Sequence, residues 1–424
     1  MAAKGSGFKW AVLAVLVAGT AMLNYSNMVF ASRPVDVMAQ YGMDQAQLTA
    51  ISSIGVLPGA FFSIALGNYF DKHGSRSIRF VGAALIALAA CCQLARVYAD
   101  SYVALFAITF LSGTFFLPTQ VLPAKLIEAW FPRRQMGTAM GVFGASAGVG
   151  IMAVFAFGSL FATTTAALLS CAVGFGCVAA LWAAFAKLPE QPLGRAGAVA
   201  GDAPKVSLKA VLTSKSMWLV MVCAAFAAGA PLFLNSYMVN AFLAKGMPAA
   251  EASMLAVVFN LSLVLGAVFA GAVASRTGRY NLPYLVLCVS GGALFLVAYL
   301  VPVGPQTFAL LALAGFLGAA SLALNLARIG LLPLTGEFGP ENIGIAGGMN
   351  NTAMGIGMFA IPTVAAAILG NDYLGVFMTL LGFFVVMGVV GGLVVPELGE
   401  KGKLAQQALA EAEQAPASDA AGCA

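Results

Sequence analysis

The chain is poor in charge and almost without histidine. Of its 424 residues only 9% are Asp, Glu, Lys or Arg, 61% are hydrophobic, and His73 is the sole histidine. A soluble domain carries about 25% charged residues, so this composition excludes one soluble core and fits a protein dissolved in lipid. A single histidine excludes most His-based metal and catalytic sites. Short alternating segments of about ten residues, the mark of a membrane β-barrel, are missing as well. Backbone groups in lipid must be satisfied within their own segment, so long unbroken apolar runs mean helices. The cysteines Cys91, Cys92, Cys171, Cys177, Cys223 and Cys288 lie inside apolar runs at no metal-ligand spacing, and Cys423 lies near the end. They read as small core residues, and no disulfide, metal or cofactor is expected. Lys4 and Lys9 precede an apolar run as in a signal peptide. That run is about 20 residues long without an A-x-A site, and reads as a retained first helix.

What the sequence has is apolar runs long enough to cross a bilayer, each of roughly 20 residues. Twelve are predicted, at 8–31, 47–70, 78–97, 102–127, 137–161, 164–185, 217–243, 249–274, 282–301, 307–332, 343–369 and 374–395. They group into a first six-helix unit (1–186), a polar linker (187–215), a second six-helix unit (216–396) and a loose tail (397–424). Basic residues in short loops set the orientation. With the N-terminus inside, eighteen Lys and Arg fall on the inner side and only Arg33, Arg96 and Lys245 on the outer. Both ends of the chain are therefore expected in the cytoplasm, with the protein in the cell membrane. The same bias accounts for the net charge of +5 without a nucleic-acid partner.

The two units repeat each other. Gly67, Asp71, Lys72, Gly74 and Arg76 follow the second run, while Gly271, Arg276 and Gly278 stand at matching places after the eighth. Trp130-Phe131-Pro132 with Gly137, Ala139 and Gly141 follows the fourth run, and Phe338-Gly339-Pro340 with Gly344 and Gly347 follows the tenth. Parallel repeats with a site between them are a transporter architecture. The first loop resembles the signature loop of the major facilitator superfamily, and the second is similar to that of its organic-anion and nitrate-type members. The resemblance covers all twelve runs. It implies an all-α integral membrane fold of two pseudo-symmetric six-helix bundles, a central cavity and alternating access. It also implies that Asp71 lies near the start of the eleventh helix, where a carboxylate would favour the positive helix end and latch the inner side shut. The plainer alternative is that the loop only anchors topology through Lys72 and Arg76.

No Asp or Glu lies in the middle of a run, so a proton relay built on an intramembrane carboxylate is disfavoured. Facilitated diffusion, exchange and a proton carried on the substrate stay open. Charges within a membrane are expensive and usually functional. Arg328 in the tenth run is the one deep basic candidate, either as the bidentate partner of a substrate carboxylate or as an anchor at the membrane interface. Asn24, Tyr25 and Asn27 in the first run, Asn235 and Tyr237 in the seventh, Gln120, Asn325 and Asn351 complete the candidate substrate set, because an amide in lipid needs a partner. Departures from the family limit what carries over. The arginines of nitrate-type members in helices 2 and 8, the basic residues of oxalate-type exchangers in helices 8 and 11 and the helix 4 arginine of proton-linked members are absent. An intramembrane enzyme would need converging acid–base groups. The pattern Gly144-Ala-Ser-Ala-Gly148 lies in an apolar run without such partners. The expected function is transport of a small organic anion by a monomer. A neutral or cationic solute, or a transporter-like sensor, is the second reading.

Overall fold

The computed structural model describes residues 5–189, 207–277, 279–339 and 342–397. Within them the chain is helical. Eleven helices are long and apolar enough to cross a membrane. The first unit contains α1 (Gly5–Met28), α2 (Pro34–Tyr41), α3 (Gln45–Ser53), α4 (Leu57–Ala95), α5 (Tyr102–Phe115), α6 (Pro118–Val121), α7 (Pro123–Trp130), α8 (Arg133–Phe157) and α9 (Thr164–Phe185). The second contains α10 (Leu208–Thr213), α11 (Lys215–Ala244), α12 (Ala249–Thr277), α13 (Asn281–Leu300), α14 (Pro305–Ile329), α15 (Ile343–Leu369) and α16 (Tyr373–Val389).

Local chemistry sets the breaks. Proline lacks an N–H and clashes with the preceding turn. Pro118 and Pro123 accordingly cut the fourth crossing into α5, α6 and α7, where one unbroken helix is expected. Asp44 starts α3 with a reciprocal cap, its carboxylate accepting from the Gln47 amide at 2.7 Å and its own N–H donating to Gln47 Oε1 at 3.1 Å. Such a capping box satisfies two orphan donors. Gly74 turns the chain between the second and third crossings at φ 66°, a conformation open to glycine and costly for other residues. The tenth crossing stops at Ile329, and a 3₁₀ turn over Leu332–Thr335 follows. Pro333 thus ends the helix earlier than the predicted 332, so Arg328 sits in its last turn rather than some 15 Å up.

One end of the molecule carries Lys9, Lys72, Lys187 and Lys215 and is called the basic end below. Apolar packing differs between the two ends. At the far end a single core joins both units, bringing Phe30, Leu48 and Ile51 together with Phe233, Tyr237 and Phe242. Towards the basic end the core divides. Val12, Leu126, Phe131 and Trp182 belong to a core of the first unit, while Met217, Val220, Phe338 and Ala346 belong to a separate core of the second. Residues 48–56 are all buried. By contrast Met140 and Val142 on α8 are 41% and 45% exposed, and Cβ atoms built on Gly141, Gly347 and Gly348 would meet nothing within 4 Å. The units are joined at the far end and parted at the basic end.

Candidate functional site

Close contacts from several helices gather on α4 and the turn before it. Gly55 and Gly59 are one helical turn apart, about 6 Å along the axis. A Cβ at Gly55 would collide with the side-chain oxygen of Asn27 on α1, and one at Gly59 would lie 3.3 Å from Gln120 Oε1 on α6. Two amides from different helices therefore occupy the space that the glycines leave free. Neighbouring Ala60 receives the second unit: its carbonyl accepts from the Thr352 hydroxyl of α15 at 3.4 Å, and Gly355 packs beside it. Thr20, Asn24 and Asn27 share one face of α1 at spacings of four and three residues. Gly19, next to Thr20, abuts Thr119. Side chains from α1, α6 and α15 thus meet around one stretch of backbone at mid-depth.

The site is uncharged and holds buried polar atoms without partners. Asn27 Nδ2, Gln120 Nε2 and Thr20 Oγ1 are buried without a hydrogen-bond partner. Each buried, unpaired donor costs about 1–3 kcal/mol. Asn24 is satisfied on its own helix through Thr20 O at 2.9 Å. Asn351, next to Thr352, is exposed, and its neighbour Asn350 is buried with its oxygen unpaired.

Other expected residues turn into their own bundles. Tyr25 shares a 3.0 Å hydrogen bond with Ser170 of α9. Asn235 and Asn260 exchange amide hydrogen bonds, at 2.8 Å and 3.4 Å, between α11 and α12. Tyr237 donates to Gly370 O at 2.9 Å, and Asn325 donates to Val220 O at 3.0 Å.

Arg328 also turns into its own bundle. It is 2% exposed, with its guanidinium stacked 4.4 Å from the Tyr284 ring centroid and NH2 donating to Asn281 Oδ1 at 3.0 Å. Both partners are on α13, so the arginine points into the second bundle and away from the seam. Its place in an apolar run does not say which neighbour its face meets.

In the signature loop Lys72 and Arg76 are exposed, Gly74 makes the turn, and a Cβ at Gly67 would meet Val121 at an ordinary 3.5 Å. The side chains of Asp71 and Arg276, the surroundings of Gly271 and all of Gly278 lie outside the described residues, and with them the Asp71 latch.

Sequence reading missed three buried polar groups. Gln45 is 2% exposed and bridges the units at the far end, donating to Ser236 O at 3.0 Å and accepting from Asn240 Nδ2 at 2.8 Å. Asn260 pairs with Asn235 as above. Arg96, assigned to an outer segment, is fully buried in the first unit: NH1 donates to Gln93 Oε1 at 2.6 Å and to Ser26 Oγ at 2.8 Å, and its guanidinium lies 4.5 Å from the Phe30 centroid. The one available signal was Gln93, three residues before it on the same helix face.

At the basic end the exposed Glu337 holds the start of α11, accepting from Ser216 N at 3.1 Å and Ser216 Oγ at 2.7 Å, and from Ser214 Oγ. Partial burial pushes its pKa up, but these hydrogen bonds outweigh that and leave it lowered.

The family model of the Major Facilitator Superfamily matches residues 14–362. A curated relative is a probable nitrate/nitrite antiporter, NarK1, of Thermus thermophilus, 24% identical over a 375-residue alignment that covers 80% of each chain. Among solved structures, a bacterial homologue of the human lysosomal transporter Spinster, inward-facing and occupied, matches with a TM-score of 0.68 at 14% identity, over 94% of this chain and 97% of that one. The nucleoside transporter NupG matches with a TM-score of 0.69 at 16% identity, over 90% and 97%. The matched family model, the helical fold and the mid-depth meeting of two units agree: this chain belongs to the Major Facilitator Superfamily and is a multi-pass membrane transporter rather than an enzyme.

Proposed function

We propose that the protein carries a small organic anion, of the carboxylate class, by alternating access. Its binding point is the meeting of Thr20, Asn27, Gln120 and Thr352. The observation that carries this reading is the surplus of donors. The amide N–H groups of Asn27 and Gln120 are buried with no acceptor of their own, while the oxygens of the same two amides face Gly55 and Gly59. A carboxylate brings acceptors and no donors, so it satisfies both. The curated relative is an anion antiporter by name, which supports the class but not the ion, since the helix 2 and helix 8 arginines of nitrate-type members have no counterpart here. The seam being open at the basic end, we place that end in the cytoplasm on the loop-charge bias, in a cell membrane. Occupancy would then be followed by closure there and by loss of the Gln45 bridges at the far end.

The uncharged lining favours a second reading, a neutral polar solute bound by the same amides. Thermal-shift screening of the purified protein separates the two, because a ligand that binds the native state raises its apparent stability. Stabilisation by small carboxylates that is lost in Gln120→Leu, followed by carboxylate flux in proteoliposomes, is the expected result. Stabilisation by sugars or amines alone would overturn the anion reading.

A further inference from the structure

Arg96 is a buried cation facing neutral partners. Its guanidinium touches Ser26, Gln93 and the ring of Phe30, while Nε and NH2 have no hydrogen-bond partner. Its hydrogen-bond partners are uncharged, so its field is not cancelled by a contacting carboxylate. Two chains of contact run from it to the binding point. Ser26, which it holds, is followed in sequence by Asn27. Gln93, which it also holds, donates to Ser112 Oγ at 2.7 Å, and the next residue, Gly113, packs directly on the backbone of Gly55. Gly55 is where the Asn27 amide lies. The charge is thus one residue removed from the site by way of Ser26 and several by way of Gln93, about 10 Å from the Asn27 amide by backbone dimensions.

We infer that Arg96 is a specificity-determining residue: it selects anions through its field, without touching them. The inference rests on the anion reading of the site. It also resolves a tension within that reading, since the site itself is uncharged. At about 10 Å, with the effective dielectric of a protein interior, one elementary charge shifts the affinity for a monovalent anion by roughly tenfold, while leaving a neutral isostere unmoved. Screening by salt is weak there because the charge is buried. Arg328 is also buried, but it lies in the last turn of α14 at the basic end and stacks within the second bundle, so this role falls to Arg96.

The test compares lactate with lactamide, two solutes of nearly the same shape that differ by one charge. Binding to the purified full-length protein is measured by thermal shift and calorimetry. The key variant is Gln93→Glu, which leaves Arg96 in place and puts a carboxylate 2.6 Å from NH1, where Gln93 Oε1 now sits. It keeps the side-chain shape and creates a salt bridge, so folding is expected to hold. Arg96→Gln removes the charge directly. Ser26→Ala removes a hydrogen bond but no charge. The expected result is that the lactate-to-lactamide affinity ratio falls about tenfold in Gln93→Glu and Arg96→Gln, and stays at the native value in Ser26→Ala. A native ratio retained in folded Gln93→Glu overturns the inference, as does an equal fall in Ser26→Ala, which would make Arg96 a packing residue. Native protein that does not prefer lactate to lactamide overturns the anion reading itself. That outcome differs from native protein that prefers lactate while Gln93→Glu keeps the preference.

Discussion

The two ends of the seam are built from the same helices yet behave as different materials. At the far end α3, α11 and α15 share one apolar core and the Gln45 bridges. At the basic end the same crossings continue into two separate cores. The difference teaches that closure costs few specific bonds. A handful of amides and close glycine contacts hold the far end, and an arrangement held so lightly can be exchanged for its opposite. A two-state equilibrium of this kind responds to small differences in free energy.

The largest way to break the comparison is to wedge the far half of the seam. A Cβ on Gly148 of α8 would lie 2.6 Å from Val264 of α12 and 3.4 Å from the Asn260 carbonyl. Gly148→Leu is expected to cut flux in proteoliposomes at least tenfold and to raise labelling of cysteines introduced on the far side. Undiminished flux would show that α8 and α12 are free to part there. At the basic end, Arg328→Ala removes the stack on Tyr284 and the bond to Asn281. It should lower stability by about 2 kcal/mol, read as a fall in Tm, without changing the lactate-to-lactamide ratio. A changed ratio would return Arg328 to the site.

A milder change sharpens the comparison. Gln45→Ala loses two hydrogen bonds across the far end, each worth about 1 kcal/mol net. The population open on that side should rise by roughly thirtyfold, measured by spin-label distances between α3 and α11; unaltered distances would mean that the apolar core alone holds the closure. The smallest effect concerns Glu337. Its folded pKa lies below the ordinary value of 4.5, so its contribution is present above the unfolded pKa and is lost as pH falls through the folded one. Melting temperatures of native protein and Glu337→Gln should therefore differ slightly at neutral pH and converge in acid, as the pH falls through the folded pKa. A gap that persists there would place the effect elsewhere than in the carboxylate.

Part of the proposed site was legible before any coordinates. Asn27 and Gln120 stood out because an amide in an apolar run needs a partner, and both abut the glycines of α4 and the turn before it. Asn235, Tyr237 and Asn325 met the same criterion, but their partners are inside their own bundle. Cost in lipid identifies a residue that must be satisfied and cannot say by which neighbour. Arg328 and Arg96 make the point most sharply. A charge within an apolar run drew attention to the first, and a loop assignment hid the second. The packing of α13 against α14, and of α1 against the end of α4, gave each its actual surroundings.

The sequence by itself determined the solvent, the number and rough extent of the crossings, the internal repeat and the charge bias between the two sides. All of these follow from local composition, because lipid penalises every exposed polar group wherever the chain goes. Only the tertiary structure decided which amides meet near Gly55 and Gly59, and which end of the seam is closed. Those depend on side chains from helices tens to hundreds of residues apart reaching the same few ångströms, and no local pattern encodes that distance.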